Sequence, residues 1–187
     1  MPHVFEFKNV KVLESEDRGM WLSTEHFTNI VRQILPEEER IAACEIGTGA
    51  GYFTIPLSYL FRKVYAVELS VDMLNYLRTK TQKLGINNIE FVLSKDVPQL
   101  SDKLSLILFS NVMHELIDRD KYMAWASANS RIVVNIDWKR IKTPRGPPVD
   151  DRIDQADAIE LFRAYGFSVR QFNIYPFHYF LVGFRGS

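Results

Sequence analysis

The chain has 187 residues, 47% apolar and 25% charged, which suffices for one packed core and predicts a single domain over residues 1–187, with 1–36 as a lead-in segment and helix. Its 23 basic and 23 acidic residues cancel to a formal charge of zero, so no global field draws it onto a phosphate backbone or an anionic bilayer, and neither nucleic acid nor membrane is expected as a partner. Cys44 is its one cysteine, which excludes an internal disulfide and a multi-cysteine metal site, fits a reducing compartment and makes the cytoplasm the expected location.

In chain order, Met1-Pro2-His3-Val4-Phe5-Glu6 lacks the basic and apolar regions of a leader, and no later stretch has the length of a membrane span. Residues 22–35 place Phe27, Ile30, Val31, Ile34 and Leu35 at helical spacing, with Ser23 or Thr24 as N-cap and Pro36 as the stop. Ile41 to Ile46 reads as a buried strand ending in a glycine cluster, and Tyr52 to Phe61 as a helix that tolerates Pro56 near its first turn. Val64 to Val67 is a second strand, Val71 to Leu84 a helix closed by Gly85, and Ile89 to Leu93 a third strand. Leu104 to Phe109 reads as a central strand, Met113 to Ala126 as a helix and Ile132 to Ile136 as a further strand. Residues 139–150 form the one long loop, 155–165 a helix capped by Gly166, and Phe167 to Ile174 with His178 to Phe184 an antiparallel hairpin at the sheet edge.

This alternation predicts an α/β fold, a doubly wound Rossmann-like parallel sheet with helices on both faces, whose ligand sits beyond the carboxyl ends of the strands. The first strand ends in Glu45-Ile46-Gly47-Thr48-Gly49-Ala50-Gly51, three glycines at alternate positions that let a ligand approach the main chain, or that merely make a tight turn. A nicotinamide-binding loop needs its third glycine where Tyr52 stands, which weighs against NAD. Glu68 ends the second strand, 19 residues past Gly49, where a carboxylate can accept from both hydroxyls of a ribose or else cap the helix that follows.

The stretch from Ala43 to Arg78, including Ala-Cys-Glu-Ile-Gly-Thr-Gly-Ala-Gly and Ala-Val-Glu-Leu-Ser, resembles the cofactor motifs of class I S-adenosylmethionine-dependent methyltransferases, in the style of the small-molecule group of ubiquinone and menaquinone biosynthesis. The resemblance implies a seven-stranded sheet with the last strand antiparallel and S-adenosylmethionine as cofactor. It implies that Glu45, Gly47, Thr48, Gly49 and Gly51 surround the methionine end, that Glu68 holds the ribose, and that Leu69 lies against the adenine. Asp96 is similar to the acid that binds the adenine amino group, and also reads as an exposed loop aspartate. Asn111 would touch cofactor or substrate. His114 would take a proton from the acceptor, or else packs as an ordinary helix histidine; nothing at metal-ligand spacing accompanies it.

On the substrate side Trp138 offers an aromatic wall, and Lys139, Arg140 and Arg145 an anion contact or a solvated basic loop. One or two of Phe172, Tyr175, Phe177, Tyr179 and Phe180 could face the pocket, the rest being edge-strand core. The activity expected from the resemblance is in-line methyl transfer to a small-molecule acceptor, with RNA or protein acceptors, or a silent cofactor-binding domain, as the alternatives. Ser110-Asn111-Val112-Met113 departs from the Asn-Pro-Pro-Tyr pattern of amino-methylating nucleic-acid enzymes, and a lone Cys44 disfavours arsenic methylation. A homodimer is compatible with this reading.

Overall fold

The apolar runs pair into one sheet in a computed structural model that describes residues 10–15 and 17–186. The reading of residues 1–6, and the part of the lead-in that falls on 1–9 and on Glu16, lie outside the described residues. The strands are β1 (Ala42–Ile46), β2 (Lys63–Glu68), β3 (Ile89–Leu93), β4 (Leu106–Ser110), β5 (Ile132–Trp138), β6 (Ser168–Gln171) and β7 (His178–Phe184), in the order β3-β2-β1-β4-β5-β7-β6. The first five are parallel, and β7 runs antiparallel between β5 and β6. The helices are α1 (Val10–Leu13), α2 (Arg18–Trp21), α3 (Thr24–Ile34), α4 (Thr54–Ser58), α5 (Val71–Lys83), α6 (Arg119–Asn129) and α7 (Gln155–Ala164).

Strands β1, β4 and β5 are buried along their whole length, the state that covering both faces of a parallel sheet demands. Their residues alternate between two cores, as the strand period requires. Ala43, Leu106, Leu108, Val134 and Ile136 pack with Phe27, Ile30 and Val31 of α3 and with Leu57 of α4. Cys44, Ile46, Ile107, Phe109 and Val133 pack with Met123 and Ala126 of α6 and Phe162 of α7. The chain winds outward from β1 to β3 and returns to β4, so a crevice opens at the switch point between β1 and β4. Short polar caps set the helix starts: Ser23 accepts from the His26 amide, Ser70 from Met73, Asp118 from Lys121 and Asp154 from Ala156.

Four elements differ from the sequence reading. The expected Met113–Ala126 helix is broken: a 3-10 turn over Met113–Glu115 precedes α6, which restarts at the Asp118 cap. The expected 52–61 helix shrinks to α4, with Pro56 at its third residue. The hairpin does form, but β6 is the edge and β7 lies inside the sheet, because β7 takes the place beside β5. The 139–150 loop is tied to one side chain: the Arg152 guanidinium donates to the carbonyls of Lys139, Ile141 and Pro147 and to Thr143 Oγ1.

Phe27 is fully buried, with its ring 4.8 Å from that of Phe53 and 6.2 Å from that of Phe180. Phe27→Ala should lower folding stability by about 3–5 kcal/mol in urea unfolding, through lost transfer energy and the cavity left behind.

Candidate active site

The carboxyl ends of β1, β2, β4 and β5 surround one cavity of about 600 Å³, roofed by the lead-in segment and by residues 145–148. The glycine loop after β1 is bound to the neighbouring strand, because the amides of Gly47 and Thr48 both donate to the Val67 carbonyl at 2.8 and 3.2 Å. Gly47 is left-handed, with φ of 73°, and a Cβ there would sit 2.6 Å from Val112 Cγ2, so a side chain is excluded on two counts. Gly47, Thr48 and Gly49 line the cavity. Gly51 does not. Its φ is 82°, and the space its Cβ would need is filled by the Leu77 side chain of α5, so it serves helix packing rather than the methionine end expected for it.

Glu68 projects from the end of β2 into the same cavity, where its carboxylate accepts from the amides of Gly49 (3.0 Å), Leu69 (2.9 Å) and Ser70 (3.2 Å). The helix cap proper is Ser70. Leu69 is 47% exposed at the rim. Asp96 lies on the rim too, paired with Lys121, whose hydrogen bond holds the Asp96 carboxyl below its usual range. Four buried side-chain atoms on cavity-lining residues find no hydrogen-bond partner among the described residues: Ser15 Oγ, Thr48 Oγ1, Ser110 Oγ and Asn111 Oδ1. Buried polar atoms are rarely left so, and each is a place for a ligand or water to bind. Asn111 holds a left-handed backbone with φ of 52°, a conformation that asparagine tolerates better than most residues.

At the deep end an acid and a base, Glu45 and Arg18, are both buried. Glu45 is 2% exposed and accepts from Thr54 Oγ1. Burial pushes its carboxyl up to about 8, against the Thr54 bond and the Arg18 charge, with Glu68 adding to the rise. Arg18, from α2, donates to the Leu13 carbonyl at 2.9 Å and stacks 4.1 Å from the centre of the Tyr52 ring. Burial lowers it to about 10, which leaves it cationic at neutral pH. The sequence reading took residues 1–36 as a lead-in segment and helix and gave Arg18 no role in the site.

His114 stands on the 3-10 turn after β4, 5% exposed and facing the cavity. Its Nδ1 lies 2.7 Å from Asp137 Oδ1, and its amide donates to Oδ2 of the same carboxylate at 3.3 Å. Burial alone would depress the imidazole, but the Asp137 charge and hydrogen bond outweigh it, Glu115 adds to them, and the ring is raised above its ordinary value. Asp137 had no role in the sequence reading, although a carboxylate at the end of a buried strand is a signal in itself.

Trp138 lines the cavity beside Trp21, ring centres 5.4 Å apart, and Arg145 reaches Asp17 at 2.8 Å to join the loop to the lead-in. The other basic loop residues are placed differently from expectation. Lys139 donates to the carbonyls of Tyr175 and Pro176, Arg140 lies 4.0 Å from Asp150, and neither lines the cavity. Nor does any of Phe172, Tyr175, Phe177, Tyr179 and Phe180. Tyr175 and Phe180 belong to the core under α3, with Phe172 packed against it. His178, fully buried, stacks against Trp21 and Trp138 instead of facing the cavity.

Residues 43–133 match a family model described as a methyltransferase domain. A solved S-adenosylmethionine-dependent methyltransferase from Aquifex aeolicus superposes with a TM-score of 0.85 at 23% identity, over 96% of this chain and 98% of that one. Magnesium protoporphyrin IX methyltransferase from Synechocystis PCC 6803, solved with bound S-adenosylhomocysteine, gives 0.71 at 17% identity over 98% and 90%. A protein-L-isoaspartate O-methyltransferase of Petrotoga mobilis is 29% identical over 93 residues, 46% of this chain and 44% of that protein. The chain spans less than half the length of the curated relatives it matches. The matched segment carries the glycine loop and Glu68, and the solved neighbours share the fold of the chain.

Glu45 makes the stability of this domain depend on pH in a stated direction. Between its ordinary value of 4.5 and about 8 the folded chain keeps a proton that the unfolded chain releases, so stability falls as pH rises through that window. Glu45→Gln removes the proton uptake. Its urea midpoint should gain on that of the wild type from about pH 5 to about pH 9, and parallel curves would contradict a buried neutral carboxyl.

Proposed function

We propose that this chain transfers the methyl group of S-adenosylmethionine to a small-molecule acceptor by in-line displacement, acting as one domain over residues 1–187, in the cytoplasm. The observation that carries the reading is the side-chain-free loop bonded through the Gly49 amide to the Glu68 carboxylate, beside three unpartnered buried atoms on Thr48, Ser110 and Asn111. When bound, S-adenosylmethionine supplies an electrophilic methyl carbon on a positively charged sulfur that leaves as a neutral thioether.

The residues present fit that group. Glu68 accepts from the ribose hydroxyls, Leu69 covers the adenine and Asp96 takes its amino group. Gly47 and Gly49 admit the methionyl chain, with Thr48 and Asn111 supplying polar contacts. Arg18 and Glu45 suit the two ends of an amino acid, its carboxylate on the guanidinium and its ammonium beside the carboxyl, where a bound cation favours the ionised form of Glu45. His114 takes the proton of the acceptor. The roof held by Arg152 and by the Arg145–Asp17 pair excludes water and aligns the acceptor, and alignment of this kind is worth up to roughly 7–11 kcal/mol.

A small acceptor is supported by the walls of Trp21, Trp138, Pro147 and Pro148, which suit a planar apolar molecule such as those of the ubiquinone and menaquinone group. A homodimer is compatible with this use of the cavity. A second reading, methylation of a protein carboxylate, has the names of the curated relatives in its favour, but those relatives share less than half of their length with this chain.

Calorimetry should detect S-adenosylmethionine and not NAD. Glu68→Ala should weaken the cofactor on the order of a hundredfold or more, since two hydrogen bonds to a charged group contribute about 1.5–3 kcal/mol each, with the thermal melt of the protein retained. Gly49→Val should do the same by filling the loop. Unchanged affinity in Glu68→Ala removes the ribose assignment, and absence of S-adenosylhomocysteine release with every acceptor supports a silent binding domain instead.

A further inference from the structure

We infer that Asp137 is the positioning residue for His114, holding its ring with Nδ1 protonated and Nε2 bare, so that the acceptor must carry a proton on the atom to be methylated. The inference rests on the methyl-transfer reading and narrows it to hydroxyl or N–H acceptors.

Both oxygens of Asp137 are used on one residue and one neighbour. Oδ1 meets His114 Nδ1 at 2.7 Å and the Trp138 amide at 2.8 Å, and Oδ2 accepts from the His114 amide at 3.3 Å. The carboxylate is 1% exposed. The sheet brings the two residues together: Ser110 pairs with Ile136 in the parallel β4–β5 register, so the turn after β4 passes over the end of β5. Arg119 of α6 locks that turn by donating to the Met113 carbonyl at 2.8 Å.

The 2.7 Å contact of Nδ1 with Asp137 Oδ1 is a hydrogen bond in which the carboxylate oxygen accepts, so Nδ1 carries the hydrogen and the neutral ring has its lone pair on Nε2. Nε2 lies 3.8 Å from Glu115 Oε1, and both side chains line the cavity. The charged and titratable groups around the ring are Asp137 from β5, Glu115 on its own turn, Arg119 from α6 and His178 from β7. The two acids stand on opposite sides of the imidazole, an arrangement that favours the imidazolium formed once a proton has been taken. In that step the proton passes from the acceptor atom to Nε2, the acceptor lone pair closes on the methyl carbon, and the carbon–sulfur bond breaks with its electron pair on sulfur. A carboxylate or thioether acceptor has no proton to lose at neutral pH, and the buried pair would be idle.

The test is long-range proton–nitrogen NMR of the histidine rings in the full chain, with His114→Gln assigning the signal. The wild-type ring should show Nδ1–H and a bare Nε2 in its neutral form. Asp137→Asn should lower its pKa by about one unit or more, while calorimetry finds cofactor affinity unchanged. A wild-type ring with hydrogen on Nε2 overturns the proposal, whether or not the variant folds, as does an unmoved pKa in folded Asp137→Asn. In turnover with a panel of phenol, primary amine, carboxylate and thioether, S-adenosylhomocysteine should appear with the first two alone. There Asp137→Asn should lower kcat on the order of a hundredfold and move the ascending limb of the pH profile to lower pH, with KM for the cofactor retained. Turnover of the carboxylate or the thioether overturns the acceptor class. If the panel is silent, the ring tautomer and pKa decide. Failure of the wild type to bind S-adenosylmethionine defeats the methyl-transfer reading and leaves the NMR result on the Asp137–His114 pair standing.

Discussion

The hydrogen bond from the Gly49 amide to Glu68 ties two strand ends into one surface. Without side chains at Gly47 and Gly49 the chain can turn across the top of the sheet, and the acid on β2 then meets the exposed amide. The bond joins the tip of the β1 loop to the carboxyl end of β2, and the Val67 carbonyl binds the start of that loop from the same strand. A side chain at Gly47 would strike Val112, which follows β4. The loop is therefore fixed from β2 and fitted against β4, so the shape of the cavity is a property of the sheet rather than of a flexible segment.

Charge placement divides the cavity into two halves. Around Glu68 and Asp96 the polar groups lie near the rim, in contact with amides and with Lys121. Around Glu45, Arg18, Asp137 and His114 they are buried, where an unpartnered charge is costly. Asp137 and His114 answer that cost with each other at 2.7 Å. Glu45 answers it by holding its proton to about pH 8, and Arg18 with a carbonyl and the Tyr52 ring. Folding alone would favour apolar residues at such positions.

The roof is built from two segments far apart in sequence. Asp17 of the lead-in bonds Arg145 of the long loop, and Trp21 packs on Trp138. Arg152 gathers the loop carbonyls under one guanidinium, whose carbon lies 5.2 Å from the centre of the Trp138 ring. Each bond is modest, but the five guanidinium donors point in fixed directions and bind several carbonyls at little entropic loss. A loop rich in proline and basic residues thereby becomes an ordered wall.

Much of this molecule is local and could be read along the chain. The period of the apolar residues marks the strands, the alternation of strand and helix yields the doubly wound sheet, and Glu45 to Gly51 with Glu68 marks the glycine loop and the acid at neighbouring strand ends, because a motif within a few residues of a strand end carries its own geometry. The break of the expected 113–126 helix was less legible, since the Asp118 cap competes with a continuous helical pattern. The pairing of Asp137 with His114, the burial of Arg18 beside Glu45, the turning away of Lys139 and of the aromatic residues, and the anchoring by Arg152 were decided by tertiary structure alone. They depend on strand register and on contacts between separate segments, such as His114 with Asp137, and nothing in the spacing of residues along one chain encodes which side chains meet across neighbouring strands.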